Sequence, residues 1–486
     1  MLLIFVGLQL GMILSTLDGT IVSTALPTIS HELGHESLRS WVITSYLLAQ
    51  VATMPLYGKL GDLYGRKRVF IIAISIFTVG SMLSGAAGSM EQLLGSRAIQ
   101  GIGAGGIGSL AMAILADIVP ARQLGRWLGY QGAIFAVASL IGPLTGGLFV
   151  DNLSWRWAFY VNLPFAAASI FIVATKLHLP YQPIRHALDY AGAALITLAL
   201  ACIVLAASIG GQANDWGSTE VLGLAAAVVV LSIAFVARER RAPEPVLPLR
   251  LLTSRVVRIA AGLNTTSGAI FASGIYFIPV FVQQVKGASA TESGFLLVPF
   301  MFTTAFTTLL AGRAVERTGR YRTWPILGSV IATVGVLLLT TLGIDTPVWL
   351  IAIYGAVLGT GVGFVMQTSL LALQNGAEQR DLGVATSSAL LSRILGSTLG
   401  VAVCSAALQS QLPSGPILAI DYADALPYVY YAAIPVTLAM FVLALRLPQL
   451  KLRESTRFDY EPPGDAAVAQ VPLEDAGPPT LRLTDG

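Results

Sequence analysis

Long uncharged apolar segments recur along almost the whole chain, and this feature constrains the fold more than any other. A helix needs about 20 apolar residues to cross the hydrocarbon core of a bilayer. The composition agrees, because 55% of the residues are hydrophobic and only 11% are charged, whereas a soluble domain carries about 25% charged residues. The sequence therefore predicts an all-α membrane protein with many spans rather than a soluble enzyme with an anchor.

Fourteen segments have the length and apolar character of a membrane span. Their approximate limits are 2–27, 41–61, 69–89, 92–115, 125–150, 156–178, 189–210, 219–238, 256–285, 293–312, 323–343, 347–372, 382–408 and 427–447. The residues that follow are polar and rich in Pro, Gly and Asp, which favours a disordered tail over 448–486.

The distribution of basic residues predicts the orientation of these spans. Of the 29 Lys and Arg residues, 24 fall in the loops or the tail on one side, three fall in loops on the other side, and Arg97 and Arg393 lie within spans. Because Lys and Arg are enriched in cytoplasmic loops, we expect both termini in the cytoplasm. The expected location is a bacterial cytoplasmic (inner) membrane, crossed many times.

Two loops on the expected cytoplasmic side carry the same pattern. Residues 58–68 read GKLGDLYGRKR and residues 312–322 read GRAVERTGRYR. The shared positions are a first Gly, a fifth acid, an eighth Gly and a ninth and eleventh Arg. Two parallel six-span halves produce such a repeat. The predicted domains are therefore a six-helix bundle over 1–178, two inserted helices over 189–238, a second six-helix bundle over 256–447, and the tail over 448–486.

The repeated loop has the composition of a conformational latch. Its glycines permit a tight turn, and its acid can lie at a helix N-terminus or pair with an arginine. Asp117 ends the fourth span and could join by pairing with Arg66 or Arg68; a solvated loop acid, or a simple positive-inside turn, is the plainer alternative. The candidate latch residues are Gly58, Asp62, Gly65, Arg66, Arg68, Asp117, Glu316 and Arg320.

Several motifs together resemble the major facilitator superfamily and, more closely, its fourteen-span drug:proton antiporter family of multidrug exporters. Besides the 58–68 loop, they are LDGTIVSTALP at 17–27, LLGSRAIQGIGAG at 93–105, GPLTGG at 142–147, WRWAFYVNLP at 155–164 and SRILGSTLG at 392–400. Leu63 stands where the superfamily loop usually has a basic residue, and Ala138 replaces a glycine of the span-five motif.

The resemblance implies a fold, a mechanism and roles for some residues. The implied fold is the major facilitator fold, here with two extra helices, and the implied mechanism is alternating access. Protons are the implied coupling ion, no other cofactor is expected, and Arg97 is implied to take part in proton coupling. The span-five motif, with Gly142, Pro143, Gly146 and Gly147, is linked in this family to export rather than uptake.

Asp18 is the first charged residue of the chain and lies within the first span. A charge at the bilayer centre costs about 2.5–3.5 kcal/mol on insertion scales, so Asp18 should face a wet cavity or a partner. Arg97 lies at a similar depth in the fourth span and is the natural counterpart. Asp18 could take up and release a proton during transport, and its protonation would free Arg97 to find another partner. The alternative is a fixed structural salt bridge.

The expected substrate cavity is apolar and aromatic with a few polar groups. Arg393 has no acid within spans nine to fourteen to neutralise it, so carbonyls, Gln367, or an anionic group of a substrate or lipid could serve. The candidate lining residues are Tyr46, Gln50, Gln131, Phe135, Asn264, Tyr276, Phe277, Gln367 and Arg393.

These features predict a transporter and exclude several other classes. GIGAGGIG at 101–108 lies within a span and so is not a phosphate-binding loop, and no nucleophile–base pair or metal cluster indicates an enzyme. We expect a monomer that contacts the bilayer and small lipophilic compounds but no nucleic acid. The expected function is proton-coupled export of lipophilic drugs, neutral or cationic. The alternatives are export of an endogenous lipid or secondary metabolite, an uptake symporter, and a transport-dead sensor.

Overall fold

A computed structural model describes residues 2–34, 38–119, 121–178, 189–213, 217–242, 249–288, 290–378, 381–413 and 418–452. Regular structure in these ranges is helical, with one short 3-10 helix at Leu249–Thr253. The α-helices are α1 (Leu2–Leu33), α2 (Arg39–Tyr64), α3 (Arg66–Gly85), α4 (Met90–Ile118), α5 (Ala121–Asn152), α6 (Trp157–Tyr160), α7 (Asn162–Lys176), α8 (Tyr190–Ala213), α9 (Thr219–Glu239), α10 (Arg255–Gln284), α11 (Ala290–Thr318), α12 (Thr323–Leu339), α13 (Val348–Gly376), α14 (Leu382–Gln409) and α15 (Ala419–Arg446).

Each predicted span coincides with a helix, and the sixth is divided between α6 and α7. Counting α6 and α7 as one unit, eleven helices of the described ranges are long and apolar enough to cross a membrane. The helices outside this group are α2, α5 and α12, and α12 has only 17 residues. The predicted tail lies outside the described residues from residue 453 onward.

The helices pack in two sets with equivalent contacts between them. Helices α1 to α7 contact one another, and so do α10 to α15. The sets meet where α5 packs on α11 and where α2 packs on α14. In the repeat, α2 corresponds to α11 and α5 to α14. The α5–α11 contact and the α14–α2 contact therefore occupy equivalent positions in the two halves. Helices α8 and α9 pack on each other, and α8 also contacts both α2 and α14.

Glycines turn the chain at both repeated loops. Gly65 has φ +91° and Gly319 has φ +69°, a left-handed conformation that side chains with a Cβ rarely adopt. The tight turn predicted from the repeat is therefore present in both copies. We call the end of the helices that carries these two loops the loop end.

The apolar core joins the two helix sets at the loop end. One apolar cluster contains the core of α10–α15 and also residues of the first set that lie near this end. Among these residues are Met54, Leu115 and Leu128. At the opposite end the first set has a cluster of its own, which includes Leu17 and Trp155. The described structure is therefore closed at the loop end by apolar packing between the sets.

Two glycines in corresponding helices let neighbouring backbones approach. A Cβ on Gly103 of α4 would meet the backbone of α3 at Phe77 and would lie 2.6 Å from the Ala73 oxygen. A Cβ on Gly361 of α13 would meet the backbone of α12 at Ala332 and would lie 2.6 Å from the Gly328 oxygen. Small residues are the usual means of close helix packing in membranes.

We predict that Gly103→Ala lowers stability by about 1–3 kcal/mol, because the added methyl group overpacks the α3–α4 contact. Gly108→Ala on the same helix is the matched control, since a Cβ there meets nothing within 4 Å. The control should be neutral or stabilising by about 0.5–1 kcal/mol. Thermal unfolding of the purified protein in detergent measures both, and equal effects of the two substitutions would contradict the packing argument.

Candidate functional site

A buried ion pair joins α1 to α4 in the half of the molecule away from the loop end. Arg97 Nη1 donates to Asp18 Oδ2 at 2.6 Å. The side chains are 1% and 0% exposed, respectively. Of the two environments expected for Asp18, a wet cavity or a partner, the structure shows the partner.

Polar side chains from three other helical positions complete a network around this pair. Asp18 Oδ1 accepts hydrogen bonds from Gln100 Nε2 at 2.7 Å and from Asn162 Nδ2 at 3.3 Å. The same two amide groups donate to Ser81 Oγ, at 3.2 and 3.0 Å. Sequence reasoning did not select Gln100, Asn162 or Ser81 as site residues. The available signal was that they are polar residues within apolar spans, two of them inside quoted motifs.

The guanidinium of Arg97 is held on its other sides by backbone and aromatic groups. Arg97 Nε donates to the Val42 carbonyl at 3.3 Å, and Nη1 also donates to Gln100 Oε1 at 2.8 Å. The guanidinium carbon lies 4.3 Å from the centre of the Tyr46 ring and 5.8 Å from that of Phe159. Cation–π contacts of this kind stabilise a desolvated cation. If Asp18 binds a proton, Arg97 therefore keeps favourable contacts while losing its counter-ion.

A second buried cluster, at the loop end, is built on Arg66. Its guanidinium lies 2.6 Å from Asp62 Oδ1 and 2.6 Å from Asp117 Oδ1, and it donates to the Ala113 carbonyl at 3.0 Å. Arg66 and Asp117 are fully buried in this cluster, whereas Arg68 is exposed. Of the two arginines considered for Asp117, Arg66 is the partner, and the solvated alternative for Asp117 is wrong.

The same cluster touches the other helix set at the first turn of α14. A Cβ on Gly383 would lie 2.6 Å from Asp62 Oδ1, and a Cβ on Gly58 would lie 2.5 Å from Ser387 Oγ. Asp62 thus both pairs with Arg66 and lies against a helix N-terminus, where a negative charge is favourable. The cluster of Asp62, Arg66 and Asp117 ties α2, α3 and α4 together and presents an acid to α14.

The second copy of the loop makes different contacts. Glu316 lies 3.5 Å from Arg126 of α5, and the two side chains are 24% and 37% exposed. Arg320, the repeat counterpart of Arg66, is exposed, so its predicted place in a latch like that of Arg66 is wrong. The physical reason is that α13 carries Asn375 at the position that corresponds to Asp117, and its amide donates to the Lys451 carbonyl at 3.2 Å.

A further ion pair at the loop end holds the start of α14. Arg250, from the 3-10 helix, lies 2.8 Å from Asp381 Oδ2. Burial raises the pKa of the Asp381 carboxyl above its ordinary value, and the Arg250 guanidinium acts in the opposite direction. The 3-10 helix that precedes α10 is thereby held beside the Asp62 cluster.

The span-five motif packs on α1 close to Asp18. A Cβ on Gly142 would collide with the side chain of Thr20, and one on Gly146 would lie 3.1 Å from the Ile21 carbonyl. This is the smooth helix face expected from the motif. Pro143 and Gly147 lie in the same helix, and the described residues do not include their side chains.

A cavity of about 170 Å³ lies between the two helix sets, near the middle of the helices that line it. Three of the predicted lining residues are there, Gln131, Gln367 and Arg393. Sequence reasoning missed the other lining residues, which are Met112, Gly132, Phe271, Met301, Thr304, Ala305, Thr308, Met366, Ile394 and Ser397.

The other predicted members of the cavity lie elsewhere. Tyr46 lies under Arg97, and Gln50 is not part of the cavity wall. Asn264 is buried and donates to the Ala260 carbonyl at 2.9 Å. Tyr276 is 54% exposed on α10, while its neighbour Phe277 is buried in the apolar core. The side chain of Phe135, also predicted to line the cavity, lies outside the described residues.

The polar groups of the cavity are incompletely paired. Gln131 Nε2 donates to the Met12 sulfur at 3.2 Å and Gln367 Nε2 donates to the Leu128 carbonyl at 3.0 Å. The Oε1 atoms of both glutamines are buried and accept no hydrogen bond from the described residues. The guanidinium of Arg393 has neither an ion pair nor a hydrogen bond within the same part of the chain.

Comparison with known proteins agrees with this architecture. The family model of the major facilitator superfamily matches residues 8–401, so the chain belongs to that superfamily of membrane transporters. An uncharacterized MFS-type transporter of Mycobacterium tuberculosis is 37% identical over 481 residues, which cover 93% of this chain and 70% of the relative. Multidrug resistance protein 3 of Bacillus subtilis is 36% identical over 401 residues, which cover 82% and 78%.

A solved structure confirms the fold alone. The proton:xylose symporter XylE aligns with a TM-score of 0.66 at 16% identity, covering 95% of this chain and 99% of the symporter. The chain is therefore an all-helical transporter of the major facilitator fold, with multidrug and efflux proteins among its relatives.

We predict that Arg66→Gln lowers stability by about 3–5 kcal/mol, because it leaves Asp62 and Asp117 as buried charges without their counter-ion. The matched control is Arg320→Gln, the same change in the second copy of the loop, where the exposed side chain should contribute little. Thermal unfolding in detergent measures the difference. Equal losses of stability in the two variants would show that Arg66 and Arg320 contribute equally, and would contradict the difference between the two loops.

Proposed function

We propose that the protein is a proton-coupled multidrug efflux antiporter that exports lipophilic compounds by alternating access. The observation that carries this proposal is the buried pair of Asp18 and Arg97, a titratable acid and its counter-ion inside the helix set that borders the cavity. Multidrug resistance and efflux relatives at 35–36% identity support the export of lipophilic compounds.

The proposed cycle uses the two buried clusters in turn. The described structure is closed at the loop end, where Asp62 lies against α14 and Arg126 pairs with Glu316. A proton bound by Asp18 releases Arg97 from its counter-ion and changes the packing among α1, α4 and α5. The loop end then opens, and the cavity exchanges a compound with that side. Each charge moved inward yields about 2.3 kcal/mol per 100 mV, so no nucleotide is needed as the direct energy source.

The finer classification also belongs to this proposal. We assign the chain to the fourteen-span drug:proton antiporter family, with all fourteen predicted spans crossing the membrane. The two bundles correspond to residues 1–178 and 256–447, with 189–238 as the inserted pair. We place the protein as a monomer in a bacterial cytoplasmic membrane with both termini in the cytoplasm, which puts the loop end on the cytoplasmic side.

The export of an endogenous lipid or secondary metabolite is the second candidate, because the cavity is apolar and contains three methionines, Met112, Met301 and Met366. Uptake by symport is less well supported, since the resemblance links the span-five motif to export rather than uptake. A transport-dead sensor is also less well supported, because sensing does not require a buried titratable acid. Of the neutral and cationic compounds expected from the sequence, Arg393 in the cavity wall disfavours the cationic ones.

We predict that the double variant Asp18→Asn/Arg97→Gln folds but loses gradient-driven transport. The single Asp18→Asn variant leaves Arg97 as an unpaired buried charge, which costs about 3–5 kcal/mol; the double variant removes both charges and avoids this penalty. Inside-out vesicles with an acidic interior, given a panel of fluorescent lipophilic compounds in the external medium, measure the uptake that corresponds to export.

Glu32→Gln is the control for this experiment. Glu32 is the other acid of α1, and it pairs with Arg156 at 2.8 Å while remaining half exposed. Its removal should leave gradient-driven uptake unchanged. Transport by the double variant that still follows the pH gradient would rule out Asp18 as the coupling site.

A further inference from the structure

We infer that the cavity binds lipophilic organic anions, compounds with an apolar body, an acidic group such as a carboxylate or sulfonate, and a hydrogen-bond donor next to it. This inference rests on the proposed function, since it names the substrate class of the same cavity. It is carried by three features of the cavity wall, namely an arginine without a counter-ion, two carboxamide oxygens without donors, and a flexible apolar surface.

Arg393 supplies the charge complementarity. It lies near the middle of α14, and the lining residues in the described part of the chain include no Asp or Glu. Arg97, which lies deep in the fourth predicted span, already has Asp18 as its partner. A cation in the interior of a membrane protein is costly unless it is neutralised or solvated. Arg393 lines the cavity, so an acidic group of a compound that enters the cavity can neutralise it.

Gln131 and Gln367 supply hydrogen-bond acceptors. Each glutamine is 8% exposed, and each uses its amide nitrogen on a protein partner, so its Oε1 is left for a donor. Buried polar atoms are rarely left without a hydrogen bond. A hydroxyl or N–H group beside the acidic group of the substrate satisfies them. The two glutamines come from α5 and α13, so a bound compound contacts both helix sets.

Methionines and one aromatic ring form the apolar part of the wall. Met112, Met301 and Met366 approach the cavity from three helices, and Phe271 from a fourth. Methionine side chains are unbranched and adapt to differently shaped apolar partners. This apolar surface does not select one shape for the apolar part of the compound, whereas Arg393 selects a negative charge. The site therefore selects for charge and tolerates variation in shape.

A matched pair of fluorescent compounds tests the charge requirement. Anilinonaphthalene sulfonate carries a sulfonate and an N–H group, and phenylnaphthylamine has the same aromatic body and N–H group without the sulfonate. Both are titrated against the full chain in lipid nanodiscs, with the signal of empty nanodiscs subtracted and with no pH gradient. The variants are Arg393→Gln and Arg393→Lys, and Arg317→Gln removes an exposed arginine near the end of α11 as the charge control.

We expect Arg393→Gln to weaken sulfonate binding about ten- to hundredfold, the range for losing a hydrogen bond to a charged group. Arg393→Lys should retain most of the affinity, and Arg317→Gln should retain all of it. Phenylnaphthylamine should bind the wild type and Arg393→Gln equally. Equal sulfonate affinity in the wild type and Arg393→Gln, or a parallel loss for both compounds, would overturn the inference.

Thermal unfolding provides a second readout that does not need a ligand. Because Arg393 has no partner within the described residues, Arg393→Gln should unfold at the same temperature as the wild type or higher. A marked loss of stability would show that the arginine has a structural partner, and the inference would fall. These outcomes are separate from the proposed function, because binding is measured without a gradient. Gradient-driven export of neutral compounds alone would leave proton coupling intact while overturning the anion class.

Discussion

The Asp18–Arg97 ion pair is the interaction around which the first helix set is organised. A carboxylate and a guanidinium that are both fully buried lose their hydration, and their attraction repays that cost only when other groups satisfy the remaining donors and acceptors. Gln100 and Asn162 do this for Asp18, while Tyr46 covers Arg97. The pair therefore draws groups from α1, α2, α4 and α7 to one point. Under the proposed proton coupling, a proton on Asp18 would remove the charge that holds these four helices together at that point.

The two copies of the repeated loop share a glycine turn but differ in the charged contacts that they make. Gly65 and Gly319 both turn the chain with a positive φ, yet only the first loop has a buried three-charge cluster. One difference accounts for this, since Asp117 in α4 is replaced by Asn375 at the corresponding position of α13. Without a second acid to share, Arg320 gains nothing from burial and remains in solvent. Of the two repeated loops, the first therefore has a buried cluster of three charges and the second has a partly exposed ion pair.

Sequence reasoning located the helices, the repeat and the charged pairs, but it located only part of the cavity. Charged residues in apolar spans are few, so depth and the need for a partner indicated the pairing of Asp18 with Arg97. For Asp117 they offered Arg66, Arg68 or solvent, and only the structure identified Arg66. Cavity residues are different, because membrane helices are apolar on every face and carry a weak signal of which face points inward. Tyr276 and Phe277 are adjacent in sequence, yet one is exposed and the other buried. The methionines of the cavity were missed for the same reason.

Helix α5 connects the Asp18–Arg97 pair, the cavity and the closure at the loop end. Near one end, Gly142 and Gly146 pack against α1 within three residues of Asp18. At its middle, Gln131 lines the cavity, and near the loop end Arg126 pairs with Glu316 of the other helix set. A rigid helix transmits a shift at one contact to the others, because packed interfaces repack between discrete states rather than deform continuously. A change in the charge of Asp18 that moves α1 against α5 therefore acts on the cavity wall and on the closing ion pair together.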